Sequence, residues 1–206
     1  SNANATENNT NTNTLTNTLS MSDLTVFSNE KNLFGLKDKS DNIIVEPQYK
    51  KLIRLGNSSW IIQKKNKYGL IDNYGNYLVE PKYKHVDRIL GKYLKIGNDN
   101  DYAIYNEKGE IILPPEYSSI QILFGGLFLT KQNYKYGLAD QNGRIILSNV
   151  FDDIYMPKPN IMRIQYNGQW YEIEQIAGSE FTLPEDIRSI KTNSNFKVTE
   201  FIKDPV

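Results

Sequence analysis

Few residues in this chain could carry out catalysis. Its 206 residues include a single histidine, His85, and no cysteine. Without cysteine the chain has no disulfide, no thiolate nucleophile and no cysteine-ligated zinc or iron–sulfur site. A single histidine excludes a poly-histidine metal site within one chain and leaves at most one Ser-His-Asp triad. We therefore expect no catalytic residue, no metal site and no cofactor.

The remaining polar motifs have structural explanations. The acidic residues Glu46, Asp72, Glu80 and Asp140 recur at fixed places, as turn and strand-end residues do. No pair among them is marked as the two carboxylates of a glycosidase. The segment Asn98–Asp101 is rich in oxygen ligands, but it lacks the glycine and the terminal glutamate of a calcium loop. The sequence therefore predicts that this protein is not an enzyme.

The charge balance excludes two kinds of partner. The chain has 24 Lys and Arg residues and 24 Asp and Glu residues, so its formal net charge is zero. Such a chain has no global basic field to attract nucleic acid or anionic lipid. It also has no run of about 18 apolar residues. We expect neither a nucleic-acid partner nor a transmembrane segment.

A period of 34 residues organises the chain. In each copy an aromatic residue is followed by a small one, Gly or Ala. A turn residue lies six positions after this small residue, and proline lies twelve positions after it in three of four copies. A fifth copy, with one inserted residue, is predicted at Tyr171-Glu172-Ile173, followed by Gly178 and Pro184. Such a period is the signature of a tandem array. The four regular copies are marked by Phe34-Gly35-Leu36, Tyr68-Gly69-Leu70, Tyr102-Ala103-Ile104 and Tyr136-Gly137-Leu138.

The composition of each copy is typical of strands, because β-branched and aromatic residues alternate with turn residues. We predict three strands per copy, for example Trp60–Lys64, Tyr68–Asp72 and Tyr77–Glu80, with the following Pro81 ending the third. The glycine inside the second strand marks the close approach of another backbone or ring. The predicted fold is all-β, a tandem array of about five three-stranded antiparallel units. An open twisted array is favoured, and a five-bladed propeller-like ring is the alternative.

These motifs resemble the bacterial WG repeat family, also called KWG repeats. The closest copies are Lys67–Asp72 and Lys135–Asp140, and Tyr or Phe stands where the family usually has Trp. The resemblance covers roughly residues 24–202. It implies an all-β tandem array without a known catalytic centre, in proteins that are often exported or surface-attached.

Composition divides the chain into three parts. Residues 1–3 are typical of the remnant of a cleaved expression tag. Residues 4–22 are nearly all Asn, Thr and Ser, which predicts a disordered linker, and residues 23–203 are the predicted repeat domain. The linker and the absence of cysteine favour an extracytoplasmic protein, periplasmic or at the cell surface, tethered through a removed lipid anchor. A cytoplasmic location is the alternative.

The repeat explains its own polar residues, and this predicts a non-catalytic protein that presents an interaction surface to a partner protein. The alternative is a carbohydrate or cell-wall binding module that uses exposed aromatic side chains. If a ligand binds, aromatic residues outside the repeated motif are the candidates to bind it. These residues are Tyr74, Tyr77, Tyr134, Tyr155, Tyr166 and Trp170.

Overall fold

The computed structural model describes residues 18–175 and 196–202, which form five small antiparallel sheets. Within these ranges the helical elements are two 3₁₀ turns, Met21–Asp23 and Phe124–Gly126. The predicted tag remnant, most of the predicted linker and the predicted Gly178 and Pro184 motif lie outside the described residues. The strands are β1 (Leu24–Ser28), β2 (Phe34–Asp38) and β3 (Ile43–Tyr49) in sheet 1; β4 (Lys51–Leu55), β5 (Ser59–Lys64), β6 (Lys67–Asp72) and β7 (Tyr77–Tyr83) in sheet 2; β8 (His85–Ile89), β9 (Tyr93–Gly97), β10 (Tyr102–Asn106) and β11 (Ile111–Tyr117) in sheet 3; β12 (Ser119–Ile122), β13 (Phe128–Gln132), β14 (Lys135–Ala139) and β15 (Ile145–Phe151) in sheet 4; and β16 (Asp153–Lys158), β17 (Ile161–Tyr166), β18 (Gln169–Gln175) and β19 (Phe196–Ile202) in sheet 5.

Each sheet is a meander of consecutive strands, and the predicted all-β array of five antiparallel units is confirmed. Sheets 2 to 5 have four strands rather than the predicted three. The additional strand is the segment that follows the repeated proline and tyrosine, which sequence analysis treated only as a fold-back. It pairs with the next apolar run, as Leu52 does with Ile62. Each sheet after the first therefore begins with residues from the end of the preceding copy.

The repeated proline lies inside the third strand and not at its end. In sheet 1, Leu36 pairs with Val45 but Phe34 pairs with Tyr49, so the strand bulges between the two pairs. Pro47 lies in this bulge, where the ladder hydrogen bonds are interrupted. A Cβ atom on Gly35 would lie 2.8 Å from the Pro47 nitrogen. The strand glycine is therefore required by the close approach of another backbone, one of the two predicted reasons.

The fifth copy keeps the period of 34 without an inserted residue. Tyr136 pairs with Lys131 across β13 and β14, and Trp170 pairs with Gln165 at the same place in sheet 5. Trp170 therefore occupies the position of the repeated aromatic residue, and Tyr171 that of the glycine. The predicted insertion was wrong, because the Tyr-Glu-Ile triplet imitates the motif one residue out of register.

The sheets pack face to face in chain order. Trp60 and Ile62 of sheet 2 lie against Leu36 of sheet 1, and the same positions of later sheets pack on the sheet before them. The described residues form four clusters of buried apolar side chains, one at each junction between consecutive sheets. A closed ring of five sheets would require a fifth junction, so the described residues form an open array.

The two end sheets carry charges where interior sheets carry apolar residues. Lys37 of sheet 1 occupies the position of the fully buried Ile71, and its ammonium lies 2.7 Å from Asp41. At the other end Glu172 occupies the position of Leu138 and pairs with Arg163 at 3.0 Å. Polar outer faces are what an open repeat array needs at its ends.

In sheets 2 to 4 the turn before the last strand lies on the last strand of the sheet before it. A Cβ atom added to Gly109 would lie 2.8 Å from Leu78 Cβ, and one added to Gly75 would lie 3.0 Å from Val45 Cγ2. These glycines also have positive φ. The first sheet has no sheet before it, and there Asp41 stands in place of glycine with a side chain that is 80% exposed.

Candidate functional site

An exposed apolar side chain stands at the same place in each of the first four sheets. It is the first residue of the last strand of the sheet, β3, β7, β11 or β15, which lies at one edge of the hydrogen-bonding order. Because the four residues are 34 positions apart, they form one line along the array, which we call the edge stripe. The stripe consists of Ile43 (50% exposed), Tyr77 (39%), Ile111 (56%) and Ile145 (38%).

The tight turn before the last strand of each sheet positions the stripe residue. In sheet 2 the Asp72 carboxylate accepts hydrogen bonds from the backbone N–H groups of Tyr74 and Asn76, both at 2.9 Å. Asp38 accepts equivalent bonds in sheet 1, and the bonds from Asn42 lower the pKa of its carboxyl group. This turn is the one predicted from the Asp-x-x-Gly pattern. It fixes the start of the strand, and therefore the direction in which the stripe residue points.

The stripe is also tied to the core at one point. Burial and a hydrogen bond with the Tyr77 hydroxyl raise the pKa of Tyr49, a residue of sheet 1 that is almost completely buried. This contact crosses the junction between sheets 1 and 2. The stripe therefore lies on a rigid framework and not on mobile loops.

The six predicted aromatic candidates do not form one surface. Tyr74 lies in a turn, where its hydroxyl accepts a hydrogen bond of 2.8 Å from the Leu19 backbone. Tyr77 belongs to the edge stripe, and Tyr134 lies alone at a hairpin tip of sheet 4. The other three lie in sheet 5. All six remain predicted ligand contacts, because no contact among the described residues assigns them a ligand.

The candidates of sheet 5 separate into two groups. Tyr166 packs edge-on against the buried Phe151, with ring centroids 5.9 Å apart. Tyr155 and Trp170 contact each other at 5.5 Å on the polar end face of the array. There Arg163 donates to the Tyr155 hydroxyl at 3.1 Å, and this bond raises the pKa of Arg163. This group combines two rings with a satisfied ion pair, which suits a capping role.

A polar cleft of about 320 Å³ contains the single histidine. The basic side chains that line it already face carboxylates: His85 Nε2 lies 3.6 Å from Asp99, and Lys95 Nζ lies 3.5 Å from Asp87. Burial and the nearby Asp99 raise the pKa of Tyr102, which also lines the cleft. The cleft offers paired charges and not a nucleophile beside a base.

Two searches of the described residues are relevant to metals and membranes. Among residues 18–175 and 196–202, no group of three or more His, Asp or Glu side chains is arranged to hold a metal ion. Within the same ranges no helix has the length and apolar character needed to cross a membrane.

Sequence reasoning found one of the four stripe residues, Tyr77, and missed Ile43, Ile111 and Ile145. The available signal was an isoleucine at a constant distance after the turn in three copies. An isoleucine in a strand normally indicates the core, and the strand pattern alone does not show which sheet edge stays uncovered.

The family model described as the WG containing repeat matches residues 102–136 and 136–170. The matches begin and end at the aromatic positions Tyr102, Tyr136 and Trp170, in agreement with the observed register. They confirm the resemblance noted in the sequence for two adjacent copies: residues 102–170 match the WG containing repeat.

The other comparisons identify no close relative. No curated protein matches the chain significantly. A crystal structure of the eukaryotic initiation factor is similar at a TM-score of 0.40 and 12% identity, covering 71% of this chain and 47% of that one. A crystal structure of the N-terminal domain of Nup159 is similar at a TM-score of 0.29 and 11% identity, covering 86% of this chain and 59% of that one. The chain thus aligns with about half of each structure, and similarity this weak supports no functional argument.

Proposed function

We propose that this WG repeat protein is a non-catalytic binding protein that contacts a partner protein through its edge stripe. The observation that carries the proposal is the exposure of Ile43, Tyr77, Ile111 and Ile145 at one repeated position. Scattered exposed apolar residues are normal on protein surfaces and need no explanation. Four in register along one line of a repeat array form an extended apolar surface, the kind that repeat proteins use for binding.

The partner is expected to contact side chains more than backbone. The last strands β3, β7, β11 and β15 lie at the edges of their sheets, and an exposed edge of this kind can pair with a strand from another protein. Pro47 and Pro81 lie in two of these strands and Pro114 and Pro115 in a third, and proline donates no ladder hydrogen bond. The bulges beside them interrupt the edge further. These features oppose continuous strand addition and leave the stripe side chains as the contact points.

A site-specific crosslinking experiment tests the proposal. A photo-crosslinking residue placed at Ile111 should give a discrete adduct in an extract of the source organism. The matched control carries the photo-crosslinking residue in place of Glu80, which is exposed on β7 but lies outside the stripe. This control should give no adduct.

Binding measurements with the purified partner then decide the matter. Threonine at positions 43, 111 and 145 keeps β-branched side chains on exposed sites, so stability should change by less than about 0.5 kcal/mol per site. We expect this triple variant to bind at least tenfold more weakly than the native chain. Equal adducts at Ile111 and Glu80, or equal affinity of the triple variant, would refute the proposal.

An extracytoplasmic location is part of the same proposal. It is supported by the absence of cysteine and by the Asn- and Thr-rich composition of residues 4–22. Cell fractionation of the full-length native protein tests it, and recovery in the cytoplasmic fraction would contradict it.

A further inference from the structure

Tyr134 is the most exposed large apolar side chain of the described residues, at 89%. It lies at the tip of the hairpin between β13 and β14, with a φ of 64° after Asn133 at 51°. Both values belong to the left-handed region, which bulky residues rarely occupy. The fold therefore holds a large ring in an unfavourable backbone conformation without burying it.

The equivalent hairpins of other sheets use residues suited to this conformation. In sheet 2 the second turn residue is Asn66, with a φ of 63°, and in sheet 5 it is Gly168, with a φ of 78°. Asparagine and glycine adopt the left-handed region at little cost, whereas tyrosine has a larger steric cost there. The turn itself does not require an aromatic residue. An unfavourable backbone conformation that brings no packing in return indicates that the side chain serves a function.

Beside Tyr134 is a cleft of about 280 Å³ between sheets 3 and 4. Its lining is rich in side-chain amides, which donate and accept hydrogen bonds in the same group. The Ser118 hydroxyl donates to the Lys131 carbonyl at 3.2 Å, so its oxygen remains able to accept. Among the described residues no lysine or arginine lines the cleft. The lining residues are Asn100, Glu116, Ser118, Gln132, Asn133 and Tyr134.

This combination suits a neutral ligand that has many hydroxyl groups and one apolar face. A pyranose ring has both: its hydroxyls can bond to amides and a carboxylate, and its C–H face can stack on an aromatic ring, whose face carries partial negative charge. The volume lies near the lower end of ligand pockets and suits one or two sugar rings. Because the described lining contains no lysine or arginine, it offers an acidic glycan no cationic partner.

We propose that the cleft beside Tyr134 binds a neutral saccharide, with a sugar ring stacked on the Tyr134 side chain. The polar groups of Gln132, Ser118 and Asn100 bond the hydroxyls. This site lies away from the edge stripe, and its function is independent of a protein partner bound there.

Titration of the whole chain with neutral hexasaccharides tests the proposal. The probes are cellohexaose, hexa-N-acetylchitohexaose, xylohexaose and mannohexaose, and an oligogalacturonate of the same length is the anionic control. Amide chemical shifts report the site. We expect saturable shifts around residues 116–118 and 132–134 with at least one neutral probe, and none with the control.

Two substitutions distinguish stacking from a general effect on the fold. Tyr134→Asn copies the turn of sheet 2, so the melting temperature should be maintained or raised while binding weakens at least tenfold. Tyr134→Phe keeps the ring, and its affinity should stay within threefold of the native value. The proposal fails if none of the four neutral probes gives saturable shifts at the cleft, or if Tyr134→Asn binds as tightly as the native chain.

Discussion

Gly69 lies inside β6, where an added methyl group has no room. Its Cβ would lie 2.8 Å from the Pro81 nitrogen and 2.9 Å from the Glu80 carbonyl carbon, and closer still to the Val79 oxygen. Ordinary van der Waals contact begins at 3.4 Å, so the facing bulge would have to move by at least about 0.6 Å. All three atoms belong to the backbone of a paired strand and cannot rotate away.

We therefore expect Gly69→Ala to lower the free energy of unfolding by about 2–3 kcal/mol, the upper part of the range for overpacked sites. For a chain of this size that corresponds to a fall in melting temperature of roughly 4–12 °C. Urea denaturation followed by far-ultraviolet circular dichroism measures the change. The fitted slope against urea concentration should stay unchanged, which shows that the variant unfolds as the native chain does.

Gly168→Ala is the matched control, because it tests backbone conformation without steric overlap. No atom lies within 4 Å of a Cβ placed there, but φ is 78°. An alanine in this left-handed conformation should cost about 1 kcal/mol. If Gly69→Ala costs no more than Gly168→Ala, the close approach of the bulge is not what selects glycine in the strand.

Three further predictions follow from the contacts. The Trp60 indole N–H donates a hydrogen bond of 2.9 Å to the side-chain oxygen of buried Asn73. Trp60→Phe leaves that acceptor unsatisfied and should lower the free energy of unfolding by about 1–3 kcal/mol. If the effects of Trp60→Phe and Asn73→Ala add in a double-mutant cycle, the two side chains are not coupled. The bond from Lys135 and the Gly168 N–H lower the pKa of Asp152. Ionised Asp152 therefore stabilises the fold at pH values above its ordinary pKa of 3.8, and this stabilisation is lost as the pH falls below that value. In Asp152→Asn the free energy of unfolding should consequently fall less on the acid side than it does in the native chain. A difference between variant and native chain that is the same at every pH would contradict this role of Asp152. Lys37→Ile places on the outer face of sheet 1 the residue type that sheet 2 buries as Ile71, so this face should bind a second copy of the chain. Sedimentation velocity should therefore show concentration-dependent self-association. If the variant stays monomeric at all concentrations, Lys37 does not cap the array.

The repeat motifs predicted the local structure well because each depends on neighbours in sequence. The Asp-x-x-Gly turns form as expected, with Asp72 accepting two backbone N–H groups. The strand glycine faces a backbone as expected. Beyond the additional strand of sheets 2 to 5, two errors arose where the pattern was ambiguous. Proline was assigned to a strand end although Pro47 lies in a bulge, and Tyr171 imitated the motif that Trp170 completes.

The candidate surfaces were less predictable than the fold. Of the four stripe residues only Tyr77 was expected to be exposed, because isoleucine in a strand normally indicates the core. Tyr134 was a candidate from its sequence position alone. Its left-handed backbone and the polar cleft beside it depend on the hairpin geometry and on residues from sheet 3, such as Asn100 and Glu116.

By itself the sequence determined the unit: its length of 34 residues, its antiparallel strands and the turns that join them. These features follow from local propensities and from spacing, which a linear pattern records. Only the tertiary structure decided how the units combine. Whether the face of a strand is buried depends on the sheet that lies next to it. The same repeat position is therefore buried at Ile71 but charged at Lys37, where the open array begins.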